Sequence, residues 1–287
     1  MQESRLIASI SGDKECIKLF NEGCGDMHSL VAKMSYSDIV KDCPVEQIKE
    51  KYHEQRQLSK KIEFAVNYGG DAHTIANNMS MSTDKAQKIY DNYMSGLSGI
   101  SKYQEYCKNI VLKKGFITIN PKTGHKAHWF DWQACMNAMY FYNCHDYDAL
   151  QKFNNKLHYI KVKFNNSEEE YSPVYLHNIM DYTDTKLVKQ KISTWSKRSV
   201  NFRIQGSGAL CFKLALIRLW KYLIEHDLVF IVKFRIVVHD EFNITAPKAL
   251  AKEIGEVLVN CMEEGAKPFC TKVKLSADLE INDYWVH

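Results

Sequence analysis

Four residues stand at intervals of four: Arg56, Lys60, Phe64 and Tyr68. On a helix each such step drifts by about 40°, so the four side chains share about a third of the circumference and span roughly 18 Å. Leu58, Ile62, Ala65 and Val66 fall on the opposite side, an apolar stripe that faces a core. The outer face therefore presents two cations and then two rings. Cations suit a polyphosphate, and rings suit a sugar and a base. A nucleoside triphosphate carries its groups in that linear order. The same spacing also fits a solvated helix face with incidental aromatics.

A second group is His239-Asp240-Glu241. Phe234, Ile236 and Val238 alternate before it, and Phe242 and Ile244 alternate after it, which predicts a hairpin with the acids at its tip. Apolar strands on both sides hold the acids near a core. Adjacent carboxylates there lose solvation unless a divalent metal compensates. A plain polar turn is the competing reading. Cys24 with His28, and His125 with His128, have spacings that metal sites use. Neither has a second ligand pair, so no zinc site is expected.

Helices are expected over residues 4–35, broken at Ser11-Gly12-Asp13, and over two stretches within 45–68 that end at Tyr68-Gly69-Gly70. Ser82-Thr83-Asp84 opens another helix running to about Met94. Helix continues over 101–114. A short strand follows over 115–119, closed by the turn Asn120-Pro121-Lys122-Thr123-Gly124. Residues 126–195 are dense in aromatics, include the acids Glu168-Glu169-Glu170 and carry no motif. A folded insertion packed on its host is the plain reading; an aromatic and lysine surface for nucleic acid is the other. A long helix over 200–226, the hairpin, a helix from Lys248 to Glu264 and a final strand from Lys272 to Glu280 complete the chain.

The 287 residues suffice for one large domain or two moderate ones. With 45% hydrophobic and 25% charged residues the composition is that of a folded globular chain, not a disordered one. A net charge of +4 permits nucleic-acid binding without arguing for it. No apolar run approaches a membrane span, and the first residues lack the apolar core of a signal peptide. Nine cysteines, with no CxxC pair, fit a reducing compartment.

Taken together the motifs resemble those of family A DNA polymerases. Arg56 through Gly69 resembles the family's fingers helix, R-x3-K-x3-F-x3-Y-G, and Val238 to Glu241 its palm motif V-H-D-E. Asn201-Phe202-Arg203-Ile204-Gln205-Gly206 is similar to the segment leading the long palm helix. Ser11-Gly12-Asp13, Glu22-Gly23 and Asp26-Met27-His28 resemble the run SGD…EG.DIH, and Asp283-Tyr284-Trp285-Val286-His287 the family's closing pattern.

The resemblance implies an α+β fold: an incomplete palm, a small antiparallel sheet with helices, plus a mainly helical fingers subdomain. The palm would take residues 1–44 and 196–287, and the fingers residues 45–195, with the insertion at 126–195. It implies that Arg56 and Lys60 hold the triphosphate, that Lys60 protonates the departing pyrophosphate, and that His28 approaches the phosphates. Phe64 would pack on the sugar and base; phenylalanine there implies poor acceptance of dideoxynucleotides. Tyr68 would sit by the templating base, and Glu3 would crowd the 2′ position against ribonucleotides. Arg198, Asn201 and Gln205 would contact primer–template DNA. Asp240 would bind Mg2+, with Mn2+ as a substitute, and His239 and Glu241 would lie near the primer end. The implied reaction is two-metal transfer of a dNTP onto a primer.

In the family a first palm motif, D-Y-S-x-x-E, supplies a second metal-binding aspartate. Glu3 matches its glutamate, and the aspartate would precede Met1. The expectation is a split or fragmentary polymerase. An upstream fragment would supply that aspartate, the thumb and any exonuclease, by adding a strand to the open edge of the palm sheet. A non-catalytic DNA- or nucleotide-binding accessory protein is the alternative. A nucleotide hydrolase is disfavoured, since no P-loop is present. The place of action implied is the cytoplasm of a bacterium or phage-infected host.

Overall fold

The computed structural model describes residues 2–165, 179–238 and 241–284. The acids 168–170, His239, Asp240 and the closing residues 285–287 lie outside them. Among the described residues the architecture is α+β, dominated by helices, with two small antiparallel sheets.

Three short helices open the chain, α1 (Gln2–Ser11), α2 (Lys14–Asn21) and α3 (Met27–Ser35). The break between the first two has a physical cause. Gly12 adopts φ +69°, and one Asp13 oxygen accepts from the amides of Glu15 and Cys16, capping α2. The other oxygen accepts from Gly99 at 2.8 Å, tying α2 to a later helix. Gly99 must be glycine here, since a Cβ would meet the Asp13 Cα at 2.5 Å. The Ser-Gly-Asp motif is thus a structural staple.

Next come α4 (Ser37–Val40), α5 (Val45–Lys51), α6 (His53–Asn67), α7 (Ala72–Met79), α8 (Thr83–Gly96) and α9 (Ser98–Lys114). Ile62, Ala65 and Val66 of α6 are buried, as the apolar stripe requires. Ser82 caps α8 by accepting from the Lys85 amide, a contact worth about 1 kcal/mol. These helices, α1 to α3 and part of a long later helix enclose the main core.

Strands β1 (Phe116–Thr118) and β2 (Lys126–His128) pair antiparallel, Phe116 opposite His128. Helices α10 (Trp132–Asn143) and α11 (Tyr147–Asn165) follow, then α12 (Thr185–Glu225). The region around α10 builds its own core with Val111, Leu150, Tyr182 and Val188. Trp129 stacks on Trp195 at 5.6 Å. Asp131, buried beneath them, accepts from Trp129 Nε1 at 2.7 Å and from the Tyr182 hydroxyl, and pairs with Lys191. The described part of residues 126–195 is thus packed around a core of its own.

Helix α12 begins fifteen residues before the expected 200. Asp184 caps it through the Leu187 amide. Its first turns direct Val188 and Trp195 to the insertion core, whereas Ile204 and Leu210 face the main core and Leu219 and Leu223 a third one. A helix that changes partner along its length shows no single apolar stripe, which hid its start.

Strands β3 (Lys233–Val238) and β4 (Glu241–Thr245) form the hairpin, and α13 (Ala251–Ala266) packs beside it on α12. One expectation is corrected here. A bulge between Phe234 and Ile236 shifts the register, so Phe234, Ile236 and Val238 do not share a face. Ile236 is 40% and Val237 53% exposed. Successive strand residues point to opposite faces, so the end of β3 is partly open on both, and the desolvation argument for a metal at the hairpin tip loses force.

The final strand from Lys272 to Glu280 does not form either. No described strand pairs with that segment. Its backbone groups are used by helices instead. The Lys274 carbonyl accepts from Arg5, the Lys272 carbonyl from Asn21, and the Lys272 amide donates to Ser9. No described helix is long and apolar enough to cross a membrane.

Candidate nucleotide-binding site

The outer face of α6 carries its residues in the expected order. Arg56 and Lys60 are half-buried, Phe64 is 53% and Tyr68 45% exposed. Tyr68 is the C-cap residue, and Gly69 follows at φ +75°. A Cβ on Gly69 would lie 2.5 Å from the Lys197 carbonyl oxygen. Glycine therefore allows both the left-handed turn and the close approach of α6 to α12.

The cations on this face differ in their partners. Arg56 grips both oxygens of Asp26, Nε at 2.7 Å and Nη2 at 3.1 Å. Asp26 also caps α3 through the Ser29 amide. Burial pushes the Asp26 carboxyl up, but hydrogen bonds from Arg56 and Ser29 outweigh it and hold it below the usual carboxylate range. His28, on the first turn of α3, joins Nδ1 to Glu63 Oε2 at 2.7 Å. The other Glu63 oxygen accepts from Ser4 at 2.8 Å, and Glu63 is 3% exposed. This contact occupies Nδ1 and leaves Nε2 for another partner. Lys60, between these two clamps, makes no ion pair among the described residues.

At the ring end three elements converge. Gln205 Nε2 on α12 donates to the Tyr68 hydroxyl at 3.2 Å and to Glu3 on α1. Burial raises the Tyr68 hydroxyl above its ordinary value, with the Glu3 charge adding to it. Beside this junction a cleft of about 350 Å³ is lined by Tyr68, Arg198, Asn201 and Phe202. A second cleft, about 290 Å³, lies at the cation end between Asp26, Arg56, Lys49, Glu46 and Cys24.

The fold thus brings Glu3, Tyr68, Arg198, Asn201 and Gln205 to one end of α6, ties Arg56 to Asp26 at the other, and holds His28 on Glu63 between them. Glu241 opens β4 and accepts from Asn243 at 2.8 Å. His239 and Asp240 are outside the described residues, and their geometry enters nothing below. Asp26 and Glu63 were given no role by the sequence. A signal for Glu63 existed: a charge on the core-facing side of α6 demands a partner. Asp26 stands in a recognisable run but has no periodic mark of its own.

A model of DNA polymerase family A matches residues 1–129 and 147–287. The DNA polymerase of Mycobacterium phage D29 is 31% identical over 121 residues, 42% of this chain and 18% of that protein. DNA polymerase I of Streptococcus pneumoniae is 24% identical over 283 residues, 99% of this chain and 25% of that protein. Among solved structures, the POL domain of Pol1 from M. smegmatis, in complex with DNA primer-template and dNTP, shares the fold. It aligns at a TM-score of 0.63 and 19% identity, over 92% of this chain and 35% of that one. The chain spans a quarter or less of the length of these two curated relatives. With nearly its whole length matched, the chain belongs to DNA polymerase family A.

Proposed function

We propose that this chain is the fingers and palm portion of a template-directed DNA polymerase that adds dNTPs to a primer 3′ end. The observation that carries the reading is the α6 face, which runs from cations to rings and ends at the Tyr68–Gln205–Glu3 junction beside the Arg198–Asn201 cleft. In this reading residues 1–44 and 196–287 are palm and residues 45–195 fingers. Lys60 and the free edge of Arg56 hold the triphosphate, and His28 approaches it through Nε2. Phe64 packs on sugar and base, and Glu3 limits space at the 2′ position. Arg198, Asn201 and Gln205 face primer–template DNA.

A divalent ion, Mg2+ or Mn2+, would lower the cost of charge developing on the phosphate. Oxygen donors suit it. Among the described residues no cluster could hold one, and Glu241 alone of the hairpin-tip acids lies within them. Asp240, together with a carboxylate outside these 287 residues, is the proposed donor set. A strand added beside the β3–β4 hairpin is the proposed route by which that second carboxylate arrives.

Primer extension with magnesium is the test, by this chain alone and mixed with a polymerase segment bearing the D-Y-S-x-x-E aspartate. Extension only in the mixture is expected, abolished by Asp240→Ala. Extension by the pure chain alone overturns the need for a second segment. DNA affinity that survives Asp240→Ala, with no extension in any mixture, identifies a binding protein instead.

A further inference from the structure

Residues 106–130 contain five lysines, two histidines and no acid. In a chain of net charge +4 this is a concentrated basic stretch. Lys113, Lys114, Lys122 and Lys126 are exposed, and none makes an ion pair among the described residues. The stretch folds into the end of α9 and the β1–β2 hairpin. Alternation on the two strands sorts its side chains. Ile117 and Trp129 are buried, whereas Phe116, Lys126, His128 and Phe130 take the outer face.

These outer residues form a continuous column. Lys126 Nζ lies over the Phe116 ring at 4.8 Å. Phe116 meets His128 at 5.5 Å, and His128 stacks with Phe130 at 6.3 Å and 23° between planes. Phe130 ends the column and is 63% exposed. An apolar ring held in water at the end of a stacked column, flanked by unpaired lysines, needs a partner with flat apolar faces and negative charge. The exposed faces of unpaired bases joined by phosphates supply both; a duplex already stacks its bases on each other. The column is rigidly placed relative to the cleft, because Ile119, just past β1, packs on Gly206 beside Gln205.

We propose that the outer face of the β1–β2 hairpin is a platform for single-stranded DNA. Phe130 and His128 stack on bases, and Lys122 and Lys126 follow the phosphates. The choice of DNA over RNA rests on the polymerase reading above; the stacking does not.

The test is fluorescence anisotropy of a labelled oligo-dT of roughly a dozen nucleotides, with no nucleotide or metal added, so that its outcome is independent of primer extension. Phe130→Ala is expected to weaken binding roughly 5- to 100-fold, and Phe130→Trp to retain it. Lys122→Ala with Lys126→Ala should flatten the salt dependence by a slope of about 1.4. A blunt duplex should bind equally to wild type and Phe130→Ala. Phe130 is exposed, and unchanged circular dichroism confirms that the variants fold. Oligo-dT affinity unaltered in Phe130→Ala overturns the platform. Tighter binding of oligo-rU than of oligo-dT overturns its assignment to DNA.

Discussion

Glu63 on α6 holds His28 on α3 at 2.7 Å, while Asp26 on α3 holds Arg56 on α6 at 2.7 Å. The two helices exchange acids across one interface. Each acid fixes a nitrogen-bearing side chain belonging to the other helix, at the end of the site assigned to phosphates. The arrangement orients these side chains before any ligand arrives, and it leaves Lys60 as the cation between them without a carboxylate partner among the described residues.

The buried end of this exchange is expected to be the more sensitive. Glu63→Ala strands the Ser4 hydroxyl and the His28 ring, and should cost about 2 to 4 kcal/mol in denaturant unfolding. Glu63→Gln keeps an acceptor for one of them and should cost less. Equal stability of wild type and Glu63→Ala would remove the clamp from the account.

Acid should loosen the α3–α6 contact, and with it the contact of α7 with α12 made by Asp71 and Lys197. The Asp26 and Asp71 carboxyls are both lowered from 3.8, Asp71 to about 2: burial opposes the shift, and hydrogen bonds from Arg56 and Ser29, or from Lys197 and Thr74, outweigh it. A depressed folded value means that the stabilisation is complete above about pH 4 and is lost as pH falls toward 2. Asp71 and Lys197 are more than a third exposed, so their share is screened by salt. Asp26→Asn should therefore reduce stability at pH 7, by about 1 to 2 kcal/mol including the weakened cap. The gap from wild type should narrow at pH 2 to 3. A gap independent of pH would show that the Asp26 charge is not the source.

Gly69→Ala tests the seating of α6 against α12. The new Cβ meets both a positive φ and the Lys197 carbonyl at 2.5 Å. A stability loss of at least about 1 kcal/mol is expected. Tyr68 should move with it, giving weaker protection of Tyr68 from chemical iodination or a changed ring signal in NMR. Unchanged stability and Tyr68 signals would contradict the close packing.

The sequence made the α6 face legible because a four-residue interval on an amphipathic helix has one geometric meaning. The capping signal at Ser82 and the helix break at Ser11-Gly12-Asp13 were equally direct. What escaped depends on long-range partners. The Arg235 bulge has no local mark, and it reversed the facing of β3. The segment from Lys272 to Glu280 alternates like a strand, yet its hydrogen bonds go to α1 and α2. Asp26 and Glu63 acquire meaning only when α3 and α6 meet, which no spacing along the chain announces.

Lys60 tests the central claim most directly. Titration of the chain with a dNTP, by calorimetry at low salt, should give an affinity that falls about 10- to 100-fold in Lys60→Ala. The exposed neighbour Lys61→Ala should change it little. Equal affinities in wild type and Lys60→Ala, or a larger loss in Lys61→Ala, would contradict the placement of the triphosphate on this face of α6.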